Sequence, residues 1–217
     1  MEAKRTDSKT SAAILEAAGR IFAANGFAKS TVREICREAG VNLAAVNYHF
    51  GNKENLYLAA LKRSQKESSS ADLSDPDLYQ SKKPDEKLRI YVRSFLARIM
   101  DESSPAWFGR LLAREFTEPT WAFDVLVEET IRPRFEMLNE IVAAISGKKI
   151  HDPSVRMSSM SIIGQCLYFR HSRPVISRLY PGEIFGSKHI DTLTEHIVSF
   201  SLNGLMKGKK VPTCKKR

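Results

Sequence analysis

Thr31–Lys53, TVREICREAGVNLAAVNYHFGNK, decides the fold of this chain. It reads as two short helices joined by the turn Ala39-Gly40-Val41, with a third helix starting as the second stops. Glu34 follows Thr31 at the spacing of a capping box. Val32, Ile35, Cys36 and Ala39 make one apolar face, and Arg33, Arg37 and Glu38 point the other way. Gly40 suits the left-handed position that ends a helix, and Val41 can plug the angle between the two helices. Asn42 is placed to cap the second helix, about Leu43 to Phe50, and Gly51 to end it. Asn52 caps a third helix that opens Lys53-Glu54-Asn55-Leu56-Tyr57. Two short helices about a glycine turn are the signature of a helix-turn-helix, whose second helix enters the DNA major groove.

The second helix presents no formal charge. Val46 and Phe50, four apart, are its core-facing pair, which leaves Leu43, Ala44, Ala45, Asn47, Tyr48 and His49 for the other faces. Small side chains allow close approach to bases, Asn can bond adenine edges, and Tyr and His can reach phosphates. Thr31, Tyr48, His49 and Lys53 are therefore expected on phosphates. Arg33, Asn42, Leu43, Ala44, Ala45 and Asn47 are expected at base edges or the groove wall, with Val32 beside them at the start of the first helix. The competing reading is a short helix of an all-α core whose polar residues are merely solvated.

These residues also carry a resemblance. The block from about Ser11 to Leu61, with ILEAAGRIFAANGF leading into STVREICREAGVNLAAVNYHFGNKENLY, resembles the N-terminal domain of the TetR family of transcriptional regulators. The likeness covers roughly a quarter of the chain, and helix lengths, turn glycine and the YHF-x-x-K run coincide. The chain departs at Asn47, where most members have Tyr, while Tyr48-His49 keep the aromatic pair; NLAAVNYHFG looks like a subgroup. The resemblance implies a homodimer on a palindromic operator, an effector-binding C-terminal domain, and regulation of efflux or stress-response genes.

Size and charge agree with such a division. The 217 residues hold ample core, with 42% hydrophobic residues and a net charge of +9. Residues 1–66 carry 11 Lys/Arg against 6 Asp/Glu, residues 67–206 carry 17 against 19, and residues 207–217 carry 6 against none. A basic head, a near-neutral body and a basic tail form the footprint of a nucleic-acid-binding end on a different kind of domain. No apolar run approaches the ~20 residues of a membrane span, and MEAKRTDSKT lacks a signal core. Cys36, Cys166 and Cys214 form no zinc or redox motif and fit buried thiols in a reducing cytoplasm.

The expected fold is all-α: a helix-turn-helix domain over 1–67, a Ser/Asp/Pro-rich linker over 68–84, a helical effector-binding and dimerisation domain over 85–206, and a basic tail over 207–217. Residues 1–9 read as frayed, and Thr10–Asn25 as a helix that Gly26 stops. Further helices are expected over Asp85–Glu102, Trp107–Phe116, Thr120–Ile145 (interrupted at Pro133), Pro153–His171 and Ile190–Met206. VISRLYPGEIF reads as a turn-rich connection.

Both tryptophans fall in the second domain so drawn. Trp107, Phe108, Leu111, Glu115 and Trp121, with Gln165, Tyr168, Phe169 and His171, are candidates for a pocket that takes an apolar or aromatic effector. Trp and Phe at helical spacing equally suit plain core, and Glu115 with Arg114 either serves a polar ligand or pairs across a helix interface. Ser158, Ser159, Ser161 and Gly164 allow close helix approach, so Pro153–His171 and Ile190–Met206 are either the dimer interface or an internal packing seam. One short recognition helix reads few base pairs, which also favours a dimer on double-stranded DNA. No GxSxG, P-loop or HExxH occurs, Glu128-Glu129 are adjacent and diverge, and the histidines are scattered. No catalytic residue, metal site or cofactor is expected. Besides an enzyme, a DNA-bound adaptor that docks another protein is the competing class.

Overall fold

The computed structural model describes residues 2–66, 81–101, 105–182 and 186–207. The linker as read from sequence falls largely outside these residues, as does the basic tail with Cys214. The described residues are helical throughout, without a strand. We number the helices α1 (Glu2–Lys29), α2 (Val32–Ala39), α3 (Leu43–Phe50), α4 (Lys53–Lys66), α5 (Pro84–Ile99), α6 (Ala106–Thr117), α7 (Trp121–Leu126), α8 (Arg132–Ser146), α9 (Pro153–His171), α10 (Arg173–Leu179) and α11 (Ile190–Lys207).

The chain divides into two compact units. The first combines Met1–Glu67 with Ser103–Ile131, the second Ser68–Glu102 with Arg132–Arg217. These units group residues by contact, whereas the division drawn from sequence, with 85–206 as one domain, follows the order of the chain. In the first unit, Ile14, Ala18 and Phe22 of α1 meet Ile35 of α2, Val46 of α3, Leu56 and Leu61 of α4, and Trp107 and Leu111 of α6 in one core. The stripe on α6 finds its complement on α1: the Trp107 ring lies against Gly19, where a Cβ would come within 2.4 Å of it. Helix α1 starts at Glu2, well before the expected Thr10, because no Gly or Pro interrupts the run from there. Gly26 adopts φ 77°, ψ 171°, so the helix breaks where sequence placed its stop, and a further turn runs to Lys29.

In the second unit, Leu88, Val92 and Leu96 of α5, Leu138 and Val142 of α8, Ile162 and Cys166 of α9, and Leu193 and Ile197 of α11 form the core. Arg89 pairs with Glu195 at 2.7 Å and Arg93 with Asp191 at 2.8 Å, joining α5 to α11. Burial pushes the Cys166 thiol up to about 12, as expected of an inert core cysteine. The expected interruption near Pro133 is a π turn over Val127–Ile131, because Pro133 has no N–H for the carbonyl four residues back. The expected connection after His171 contains α10 instead, with Pro174 in its first turn where a missing N–H costs nothing.

Candidate nucleic-acid interface

Helix α2 is held at both ends by the devices its sequence implies. Thr31 Oγ1 accepts from the Glu34 N–H at 3.2 Å, and the Glu34 carboxylate accepts from the Thr31 N–H at 2.9 Å. Those hydrogen bonds to Thr31, backbone first, hold the Glu34 carboxyl below the usual carboxylate range. Gly40 sits at φ 67°, ψ 31°, and the Val41 N–H donates to the Cys36 carbonyl at 3.0 Å. A side chain at position 40 would cost about 1–2 kcal/mol in that conformation.

Helix α3 follows at once. Asn42 Oδ1 accepts from the Ala45 N–H at 2.9 Å, capping it, and Gly51 ends it. Val46 is fully buried and Phe50 half-buried, which orients the rest. Leu43, Ala44, Asn47 and Tyr48 are exposed, Tyr48 at 77%, while Ala45 and His49 are half-buried. Thr31 and Arg33 are exposed at the start of α2, and Val32 is half-buried against the core. The helix thus shows water a surface of short, uncharged side chains beside a phenol. A surface of that kind lets backbone and base edges come close.

Two partnerships at this surface carry no sequence signal. His49 Nε2 lies 3.4 Å from Asp7 Oδ1, so the part of α1 read as frayed reaches α3. Lys53, after the Asn52 cap, places its Nζ over the Phe27 ring, 4.4 Å from the centroid. Residues twenty-six or more apart on different helices meet here, which no local spacing announces. Arg20 adds a brace, bonding Glu16 on its own helix and Glu38 on α2 at 3.1 Å each.

The effector candidates fall in both units. Trp107, Phe108, Leu111 and Glu115 are buried in the first, and Trp121 is exposed there with its ring edge-on to Phe27. Glu115 accepts from the Tyr57 hydroxyl and from the Thr120 N–H and hydroxyl at 3.0 Å each. That is the helix-interface pairing left open above, with Thr120 and Tyr57 in place of Arg114. In the second unit, Gln165 is half-buried and bonds the Ser161 carbonyl and Ser201 Oγ, Phe169 packs on the core, and Tyr168 and His171 are exposed. Among the described residues, no cluster of three or more His, Cys, Asp or Glu could hold a metal, and no helix is long and apolar enough to cross a membrane.

Comparison with known proteins gives matches to both halves. Residues 14–60 match the family model described as bacterial regulatory proteins, tetR family, and residues 84–205 match the C-terminal domain of the HTH-type transcriptional dual regulator CecR. The chain is 28% identical to the CecR dual regulator of Shigella flexneri over 164 residues, 68% of this chain and 70% of that protein. Over 46 residues, 21% of this chain and 24% of the relative, it is 48% identical to the transcriptional repressor AcnR of Corynebacterium glutamicum. The crystal structure of HlyIIR, a hemolysin II transcriptional regulator, superposes with a TM-score of 0.60 at 23% identity, covering 89% of this chain and 97% of that one.

Proposed function

The chain belongs to the TetR family of DNA-binding transcriptional regulators, with a CecR-type C-terminal domain, and from that membership we propose a homodimeric repressor released from a palindromic operator by a small apolar or aromatic molecule. The observation that carries the reading is the exposed, charge-poor face of α3, framed by the Thr31 and Asn42 caps. Tyr48, His49, Lys53 and Thr31 anchor phosphates; Arg33, Asn42, Leu43, Ala44, Ala45 and Asn47 meet base edges or the groove wall, with Val32 alongside. Two such helices must fit successive major grooves, about 34 Å apart.

Pairing through α9 and α11 supplies the second head. Met157, Met160, Ser161, Gly164 and Tyr168 follow helical spacing along α9 and are all exposed, as are Phe200, Gly204 and Met206 on α11. A Cβ at Gly164 or Gly204 would meet nothing within 4 Å, which leaves room for a close partner helix. Effector binding changes the spacing of the heads, with a coupling of about 1–3 kcal/mol. AcnR is a repressor, which supports repression; CecR is a dual regulator, which favours activation at some promoters as the second reading.

Selection from random duplex DNA, with wild type beside His49→Ala/Lys53→Ala, tests the proposal. A palindrome enriched by wild type and missed by the variant is expected. Equal weak binding with no enriched sequence would overturn it. A reporter fused to the enriched site then separates repression from activation.

A further inference from the structure

Lys53 is a flexible side chain with a preset location: its ammonium rests over the Phe27 ring, 4.4 Å from the centroid. A carboxylate in that place would compete with a DNA phosphate. A ring face attracts the cation without neutralising it, so the charge stays available while the side chain is already confined. Phe27 is itself held from several sides. Its centroid lies 5.1 Å from that of Tyr57 and 6.3 Å from that of Trp121, the latter ring edge-on at 84°.

Those neighbours lead to the corner between α6 and α7. Tyr57 is buried, its hydroxyl donates to Glu115, and Glu115 accepts twice more from Thr120 in that corner. Burial first, then the bond to Glu115, raises the Tyr57 phenol well above its ordinary value, so it remains a donor. Arg114 covers Gly26, where a Cβ would come within 2.5 Å of its Nε. The corner thus touches the Gly26-Phe27 bend at three places: Arg114 on Gly26, Glu115 and Thr120 through Tyr57, and Trp121 on the Phe27 ring. A cleft of about 330 Å³, lined in part by Gly26, Phe27, Tyr57, Arg114, Glu118 and Thr120, leaves this docking open on one side.

We propose that Phe27 is a positioning residue for DNA binding: its ring presents the Lys53 ammonium to a phosphate, and the α6–α7 corner, through Tyr57 and Trp121, sets where that ring stands. The inference rests on the reading of Lys53 as a phosphate contact. Because phosphate contacts carry no sequence information, a shift of the corner alters affinity for all duplexes alike. The corner therefore tunes how tightly the head binds, separately from which site it reads.

The test replaces Phe27 by phenylalanines bearing one, two and three ring fluorines, which keep the shape and weaken the ring's attraction for a cation. Affinity is measured for the selected operator and for a random duplex, and the ring-current shift of the Lys53 ε-methylene protons is followed without DNA. A stepwise loss reaching about two- to fivefold per head is expected, equal on both duplexes and absent in a Lys53→Ala background. Tyr57→Phe should reduce the Lys53 shift and the affinity together. The same loss with Lys53 already removed, or none along the series, overturns the proposal. A Lys53→Ala variant that binds as well as wild type, with the ring-current shift present in wild type, places the failure in the phosphate reading. An absent ring-current shift places it in the positioning role.

Discussion

Leu43, Ala44, Asn47 and Tyr48 on α3, and Met157, Met160, Tyr168 and Phe200 on α9 and α11, are two sets of uncharged side chains left in water. The first set places the short side chains of Ala44 and Asn47 beside Leu43 and Tyr48, and a cation stands at its edge in Lys53. The second joins two long, flexible thioethers to two rings, with Phe200 at 65% exposure and Met157 at 68%, beside glycines whose Cβ positions are open. A helix that must bring its backbone close to a stiff polyanion is served by small side chains. One that meets another helix is served by thioethers and rings that adapt and fill space. In the proposed reading, the short Ala44 and Asn47 mark the face for a groove and the methionines mark the face for a second copy, though both sets lack charge.

The difference can be attacked from its larger side first. Met160→Glu with Phe200→Glu should give a monomer by sedimentation and lower operator affinity about 10²–10⁴-fold, since the second head then binds no longer as part of one molecule. A dimer that survives both changes would remove α9 and α11 from the interface. On the α3 face, Asn47→Ala should cost about 1–3 kcal/mol at one base pair of the operator. Titration against single-base variants checks this, and a uniform loss over all of them would make Asn47 a backbone contact. Thr31→Ala should lower stability in urea by about 1 kcal/mol through the lost cap, without changing the oligomeric state. The smallest effect expected is that of acid on the same cap. Glu34 is depressed in the folded chain, so its contribution is present in full above the ordinary carboxylate range. It fades as pH falls through the lowered folded value, because the unfolded chain takes up the proton first. Urea midpoints for wild type and Glu34→Gln should draw together over that interval; a constant gap would mean that the carboxylate form contributes nothing.

What could be read in sequence follows from the range of the interactions. Thr31, Gly40, Asn42 and Gly51 act on residues within four positions, so caps and turn appear in the structure where spacing put them. The stripe Trp107, Phe108 and Leu111 was equally visible as a stripe, but its partner is not local. Only the fold reveals that Gly19 opens α1 to the Trp107 ring, which gathers these residues into the first unit's core. Glu115 shows the same limit: spacing marks it as a polar residue on an apolar helix, while Tyr57, fifty-eight positions away, supplies its donor. The Asp7–His49 and Phe27–Lys53 contacts had no signal, because each joins ordinary residues on separate helices. For α10, the dense Pro and Gly around it outweighed a seven-residue helical stretch too short to show a period.

The contact between Trp107 and Gly19 makes this protein its own spectroscopic probe. The chain has two tryptophans, and both belong to the unit that carries α3. One is sealed in the core and the other, at 43% exposure, lies open to a quencher. Emission excited selectively from tryptophan therefore follows one half of the molecule and does not report on the half bearing α9 and α11. A melting curve followed by fluorescence, laid beside one followed by heat absorption, would show whether the two halves come apart together or in turn.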